Sequence, residues 1–111
     1  MSKTFVIHSD CFGRGDDELG AKLMNSFLRT LLTLETRPDK IVFYNSGVKL
    51  LAEGSPVLDV LDELNKAGVR LVACGTCVGH FKLDEKVRSE RISNMREIAA
   101  ILMESDSVVT V

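Results

Sequence analysis

Short apolar runs alternate along the chain with longer stretches in which apolar residues recur every three or four positions. The runs cover residues 5–7, 41–44, 69–73, 91–93 and 108–111. Their β-branched and aromatic content predicts five strands, and the 3–4 spacing between them predicts amphipathic helices. Solidly apolar strands that alternate with helices are typical of a mostly parallel sheet covered on both faces. The pattern therefore predicts an α/β fold: a three-layer α/β/α structure with a five-stranded, mainly parallel sheet.

Local signals mark where the helices begin and end. The longest apolar stripe covers residues 19–32 and follows three acidic residues at 16–18, which suit a helix N-terminus. Ser55 and Pro56 predict the start of a second helix, and Gly68 predicts its end. Asn94 and Glu97 have the spacing of a capping box. Residues 78–88 are predicted to form a turn or a short helix.

Length and composition restrict the classes of function. With 111 residues the chain is predicted to form a single domain, 1–111. Hydrophobic residues make up 45%, charged residues 27%, and the net charge is −2, so the chain has no basic stripe that would favour nucleic acid. The N-terminal apolar run is too short for a signal-peptide core, and no run reaches membrane-spanning length. We expect a cytoplasmic protein with neither nucleic acid nor a membrane as partner.

All three cysteines follow predicted strands. In open parallel sheets, binding sites form at the carboxyl ends of the strands. Cys11 lies in the turn after the first strand, and Cys74 and Cys77 come directly after the third. We therefore expect the three thiols to share one edge of the sheet, around a cleft with Arg14, Asn45 and Ser46.

The sequence Cys74-Gly75-Thr76-Cys77 is the sharpest chemical feature. Two thiols three residues apart can share a proton, close a small disulfide or pass sulfur between them. Backbone amides at a strand-to-helix junction, around Gly75 and Thr76, would lower a thiol pKa and stabilise anionic sulfur. Cys74 leaves the strand on rigid backbone, which favours it as the nucleophile with Cys77 as its helper. The structural alternative is that both are small buried residues that only pack.

Other kinds of site compete with this pair. Zinc would need Cys74, Cys77 and His80 with Cys11 or His8, but structural zinc sites usually carry two such cysteine pairs. A thioredoxin-like motif typically follows an early strand, whereas this one follows the third. Gly13-Arg14-Gly15 could bind an anion, yet no nucleotide-binding motif is present and few aromatic residues could stack on a flavin. We expect neither a metal nor a cofactor.

Four segments occur in an order that resembles a known family. The chain resembles the DsrE/DsrF-like sulfur-relay family, most of all the C-terminal domain of YedF-type proteins, which are described as sulfurtransferase-like proteins of selenium metabolism. The segments that carry the resemblance are residues 9–20, 45–50, 74–77 and 92–95.

The resemblance implies a DsrE/F/H-like fold, often assembled into trimers or hexamers, so we expect a homo-oligomer. In sulfur-relay members a cysteine after the third strand carries a persulfide, and Cys74 stands at that place. Sulfur donor and acceptor proteins are the implied partners, a TusA-like protein among them. Two departures concern the TusA-like domain of YedF proteins, whose Cys-Pro-x-Pro motif does not occur within these 111 residues, and Cys11, which is not usual in the family.

Two classes of function follow. In the first, the protein is a cysteine-based carrier of sulfur or selenium: Cys74 forms a persulfide, and Cys77 resolves it by closing a disulfide. In the second, it is a non-catalytic binding or redox-sensing module whose thiols only report redox state. Sulfane sulfur on the purified protein distinguishes the two.

Overall fold

Five strands form one sheet in which every neighbouring pair is parallel. A computed structural model describes residues 2–111. The strands are β1 Lys3–Ile7, β2 Lys40–Phe43, β3 Arg70–Cys74, β4 Ile92–Ser93 and β5 Ser107–Thr110. Their order in the sheet is β4-β3-β2-β1-β5. The predicted alternation and parallel sheet are confirmed, and the sheet is parallel throughout.

The helices cover both faces of the sheet. They are α1 Asp17–Thr33, α2 Leu58–Lys66, α3 Gly75–His80 and α4 Met95–Glu104, with short 3₁₀ segments at Asn45–Leu51 and Ser89–Arg91. The larger core joins α1 and α2 to one face through residues such as Leu28, Leu61 and Phe43. A smaller core packs Ile98 and Ile101 of α4 on the other face. From β1 to β4 each new strand is added toward one edge of the sheet, and the chain then crosses back to place β5 at the other edge. Because such crossovers are right-handed, the last one places α4 on the face opposite to α1 and α2.

Three of the four helix signals match the structure, the first being the acidic residues at 16–18, since α1 begins at Asp17. The Asn94 side chain accepts the Glu97 N–H at 2.9 Å and begins α4, and Gly68, with φ +103°, ends α2. The predicted start at Ser55 was wrong, since α2 begins at Leu58. The Ser55 hydroxyl instead accepts the Val57 N–H at 3.3 Å and stabilises a turn that precedes the helix.

The apolar stripe of α1 is wider than the surface that it can cover. Met24, Leu28 and Leu31 are buried, whereas Leu19 and Leu23 keep 53% and 42% of their surface exposed. A periodic pattern marks the whole apolar side of a helix, but only the part that faces the sheet is removed from water.

An ion pair with one buried partner fixes the segment that follows α3. Arg91 is 4% exposed, and its guanidinium donates to Asp62 of α2 at 2.8 Å. Because the arginine immediately precedes β4, the pair anchors the segment between α3 and β4 to α2. Among residues 2–111, no helix has the length and apolar character needed to cross a membrane.

Candidate functional site

The two cysteines of the motif lie where β3 ends and α3 begins. Cys74 is the last residue of β3, and Cys77 lies in the first turns of α3. Gly75 between them passes close to β4: a Cβ at this position would lie 2.6 Å from the Ser93 carbonyl oxygen. Only glycine therefore fits at this junction, because β4 passes too close to leave room for a Cβ.

The two thiols differ in exposure. Residues Arg70, Val72 and Cys74 alternate onto the face that α4 covers, so Cys74 is packed under Ile98 and is 1% exposed. Cys77 is half-buried and packs against both cores of the protein. Cys74 thus lies behind Cys77, and of the two thiols only Cys77 reaches a pocket.

A small pocket opens above Cys77. It has a volume of about 230 Å³ and is lined by Asn45, Thr76, Cys77, His80 and Phe81. No acidic residue lines this pocket. The Nζ atom of Lys49 lies 4.5 Å from the centroid of the Phe81 ring, which brings a positive charge to the rim.

A neighbouring loop, not α3, donates a backbone amide to the Cys77 sulfur. The N–H of Asn45 donates to Cys77 Sγ at 3.1 Å. Burial raises the pKa of Cys77 above its ordinary value, and the adjacent Cys74 thiol raises it further, while the Asn45 amide lowers it. The expectation of a depressed pKa at this junction was wrong for Cys77, because desolvation outweighs the one favourable hydrogen bond.

The turn at 45–47 is held against the end of β1. The Tyr44 N–H donates to the Ile7 carbonyl at 3.3 Å, and a Cβ at Gly47 would lie 2.2 Å from that same carbonyl oxygen. The Ser46 hydroxyl accepts the N–H of Asp10 at 3.2 Å. Ser46 thus joins two loops of this edge and does not line the pocket.

Cys11 and Arg14 follow β1 at the same edge but lie apart from the pocket lining. The Cys11 thiol donates to the Asp17 carbonyl at 3.7 Å, and its side chain lies against Gly20 of α1. Burial, then Asp10 and Asp17, raise the pKa of Cys11. Arg14 is exposed in the loop that precedes α1. Of the residues expected to share a cleft, Cys77 and Asn45 line the pocket, whereas the others are absent from its lining.

The residues of the alternative zinc site do not come together. Within the part of the chain that the structure describes, no group of three or more histidine, cysteine or acidic side chains is arranged to hold a metal ion. Larger pockets of about 390 and 470 Å³ lie at the amino ends of the strands, with Ser2 in both linings and Lys40 and Arg70 in the first. Neither contains a cysteine.

Three residues of the site were not anticipated. The sequence pattern did not point to Phe81 or Lys49, and it suggested His80 only as a zinc ligand. His80 and Phe81 follow Cys77 by three and four positions, the spacing that places side chains on one side of a helix, and this signal could have found them. Lys49 has no local signal, because it lies over the Phe81 ring from a different segment, the 3₁₀ segment Asn45–Leu51.

Comparison with known proteins decides the family. The sequence profile of the DsrE/DsrF-like family matches residues 1–111. The chain belongs to this family. Membership indicates a role in sulfur relay in the broad sense, with sulfur-relay partners in general. The finer resemblance to YedF-type proteins is not resolved by this match, and no curated protein matches the chain.

Solved structures share the fold of this DsrE/DsrF-like chain. A protein of unknown function from Methanobacterium thermoautotrophicum, MTH1491, superimposes with a TM-score of 0.71 at 24% identity, covering 99% of this chain and 98% of that one. YchN from E. coli gives 0.67 at 16% identity and 100% coverage of both chains. BT1422 from Bacteroides thetaiotaomicron, also of unknown function, gives 0.63 at 13% identity, with 99% and 95% covered. At these identities the likeness shows the fold.

Proposed function

We propose that this protein is a cysteine-based sulfur carrier in which Cys77 accepts sulfane sulfur and Cys74 is its partner thiol. One observation carries the proposal: the Cys77 thiol lines a pocket and accepts the Asn45 N–H at 3.1 Å, with the buried Cys74 thiol beside it. A donor can reach the outer thiol, whereas the inner thiol can be reached only through Cys77 or by movement of α4.

The chemistry needs no cofactor. The Cys77 thiolate attacks the outer sulfur of a donor persulfide, the S–S bond of the donor breaks, and the donor leaves as a thiolate. The outer sulfur is then carried on Cys77 as a persulfide. An acceptor thiolate can take that sulfur by the same exchange, which restores Cys77 without net oxidation.

Without an acceptor, Cys74 can complete the reaction. Its thiolate attacks the Cys77 sulfur, a Cys74–Cys77 disulfide forms, and the outer sulfur leaves as hydrosulfide. The two cysteines are oxidised and the sulfane sulfur is reduced, so the electrons balance. This order exchanges the roles expected from the sequence, in which Cys74 is the nucleophile and Cys77 resolves. The exchange rests on exposure, since Cys74 is 1% exposed.

The pocket supports an anionic cargo. A persulfide on Cys77 projects its outer sulfur among His80, Phe81 and Thr76, where Lys49 adds positive charge at the rim. The resemblance to YedF-type proteins supports selenium as an alternative cargo and a TusA-like protein as donor or acceptor. Both are proposals, and a donor assay with the R–S–SH and R–S–SeH forms of the same donor thiol distinguishes the cargoes.

Sulfur loading has an expected pH dependence. After incubation with a small-molecule persulfide donor, we expect the intact mass to rise by about 32 Da, the mass of one sulfur atom. Because burial raises the pKa of Cys77 above the usual value of about 8.5, thiolate increases with pH through the neutral range. The loading rate should therefore rise up to about tenfold per pH unit from pH 6 to 8, without a plateau. A rate that is flat over this range would contradict reaction through Cys77.

The second candidate is the redox-sensing or binding module, and the raised pKa of Cys77 favours its non-catalytic binding form, because a largely protonated thiol reacts slowly with sulfur donors and with oxidants. In that case the thiols should retain no sulfane sulfur from a persulfide donor, whether or not an oxidant closes a disulfide between them. The same mass measurement distinguishes the two functions.

We propose that the chain self-associates through a surface formed by β5 and the exposed apolar side of α1. β5 is an exposed edge strand, and Val109 pairs with Phe5, which stacks on Phe27 of α1 at 5.9 Å. Val109 therefore lies on the α1 side of the sheet, where Leu19 and Leu23 are also exposed. Paired strand edges and an apolar helix edge fit a second copy of the chain.

We expect sedimentation at micromolar concentration to give a species larger than the 12.2 kDa monomer. Leu23→Glu should shift it toward monomer, because the new charge lies in the apolar surface. Met95→Glu, a matched change at an exposed residue of α4 on the opposite face, should not. A wild-type monomer under these conditions would contradict the prediction.

A further inference from the structure

The proposed reactive sulfur, that of Cys77, faces a backbone amide that does not belong to α3. Among the described residues, the hydrogen bond to Cys77 Sγ comes from the N–H of Asn45, at 3.1 Å. α3 spans six residues, and Cys77 is the third of them, so its sulfur is not served by the free amides of a long helix. An N–H aimed at a thiol from a separate loop stabilises the anionic form of that sulfur.

The backbone conformation that aims this amide is uncommon. Asn45 has φ +52°, in the left-handed region that most side chains avoid and asparagine tolerates. Its own side chain supports the turn, because Asn45 Oδ1 accepts the Ser46 N–H at 2.9 Å. The Gly47 N–H donates to the Tyr44 carbonyl at 3.1 Å and closes the turn behind it.

The turn is also held from β1. The buried Gly47 backbone lies against the Ile7 carbonyl at a separation that excludes a Cβ, and Tyr44 donates to the same carbonyl. The direction of the Asn45 N–H is therefore fixed by the close packing of β1 against the end of β2. A non-glycine residue in a left-handed conformation beside a reactive group is the pattern in which backbone strain serves a site.

We infer that the left-handed turn at 44–47 is a sulfur-anion clamp, in which the Asn45 backbone amide stabilises the sulfur-accepting thiolate of Cys77 when it forms. The clamp would assist the proposed carrier function, and this role depends on that function. When Cys77 carries a persulfide, the amide stays with the inner sulfur, so the outer sulfur projects into the pocket toward the acceptor. The asparagine is required for its backbone conformation, and its side chain acts only within the turn.

Three variants separate the amide from the side chain. Asn45→Val disfavours the left-handed conformation and turns the amide away, so the pKa of Cys77 should rise by about one unit, with about tenfold less thiolate at neutral pH. Asn45→Gly removes the side chain but adopts the conformation freely, so the pKa should stay at the wild-type value. Lys82→Val is the matched control, because Lys82 has φ +57° but gives Cys77 no hydrogen bond. It should lower stability without moving that pKa.

The pKa is read from the pH dependence of alkylation at the Cys77 peptide, resolved by mass spectrometry. Should Asn45→Val not fold, the wild-type chain still tests the clamp. In an NMR titration the Asn45 amide shift should follow the Cys77 titration with the same midpoint, and Cys77→Ser should abolish that change. An Asn45 amide that does not respond, or a pKa that rises equally in Asn45→Gly, would overturn the inference. Neither readout measures sulfur loading, so the two proposals can fail separately. If only the carrier function fails, the alkylation and NMR results still show the clamp, but the Cys77 thiol retains no sulfur.

Discussion

Replacing Cys77 with serine should slow persulfide loading about 100-fold or more, because a hydroxyl at this position cannot replace the thiolate nucleophile. Cys77 is the motif thiol that lines the pocket, whereas Cys74 is 1% exposed. The measurement is the rate at which the intact mass increases after addition of a small-molecule persulfide. Cys11→Ser is the matched control, and its rate should stay within about twofold of wild type, since burial, then Asp10 and Asp17, disfavour the Cys11 thiolate.

The partner variant should give a different kinetic result. Cys74→Ala is preferred to serine because an unpaired hydroxyl in the α4 core would cost about 1–3 kcal/mol. It should load sulfur within about threefold of the wild-type rate but release hydrosulfide about 100-fold more slowly, since no second thiol can close the disulfide. Loading that survives in Cys77→Ser and is lost in Cys74→Ala would instead support the order expected from the sequence.

Gly47→Ala should be the most destabilising of these substitutions. A Cβ at this buried position would lie 2.2 Å from the Ile7 carbonyl oxygen, so backbone must shift on one side or the other. We expect a loss of about 3 kcal/mol in the free energy of unfolding, measured by urea denaturation. The same shift misplaces the Asn45 amide, so the pKa of Cys77 should also rise in whatever fraction remains folded.

Gly54→Ala is the control for backbone conformation alone. Gly54 has φ +92°, and no atom lies within 4 Å of the added Cβ. Its cost should be about 1 kcal/mol, with an unchanged pKa at Cys77. Equal costs for the two variants would show that the contact between Gly47 and β1 is not tight in solution.

The sequence predicted the parts of the fold that depend on local patterns. Apolar runs separated by helical stretches led to the parallel sheet, and Asn94 marked the start of α4 because its cap is formed within four residues. The position of the cysteines after β1 and β3 placed them at one edge by the geometry of parallel sheets. Family membership was likewise anticipated from motifs in the correct order.

The details of the site depend on contacts between distant segments. Strand alternation places Cys74 on the face of Val72, but its burial depends on α4, which returns across that face more than twenty residues later. The segment after β2 brings the amide of Asn45 to Cys77 and the charge of Lys49 to the Phe81 ring. Neither side chain pattern nor spacing predicts such approaches, so the roles of the two thiols could not be assigned from the sequence.

The most direct test is to locate the transferred sulfur in a single turnover. The reduced wild-type chain is loaded with one equivalent of persulfide donor, and the alkylated peptides and released sulfide are measured over time. We predict a persulfide on the Cys77 peptide first, followed by about one hydrosulfide per chain and a Cys74–Cys77 disulfide, which makes the chain about 2 Da lighter than the reduced protein. A first persulfide on Cys74 or Cys11, or a chain that retains no sulfur at any time, would contradict it.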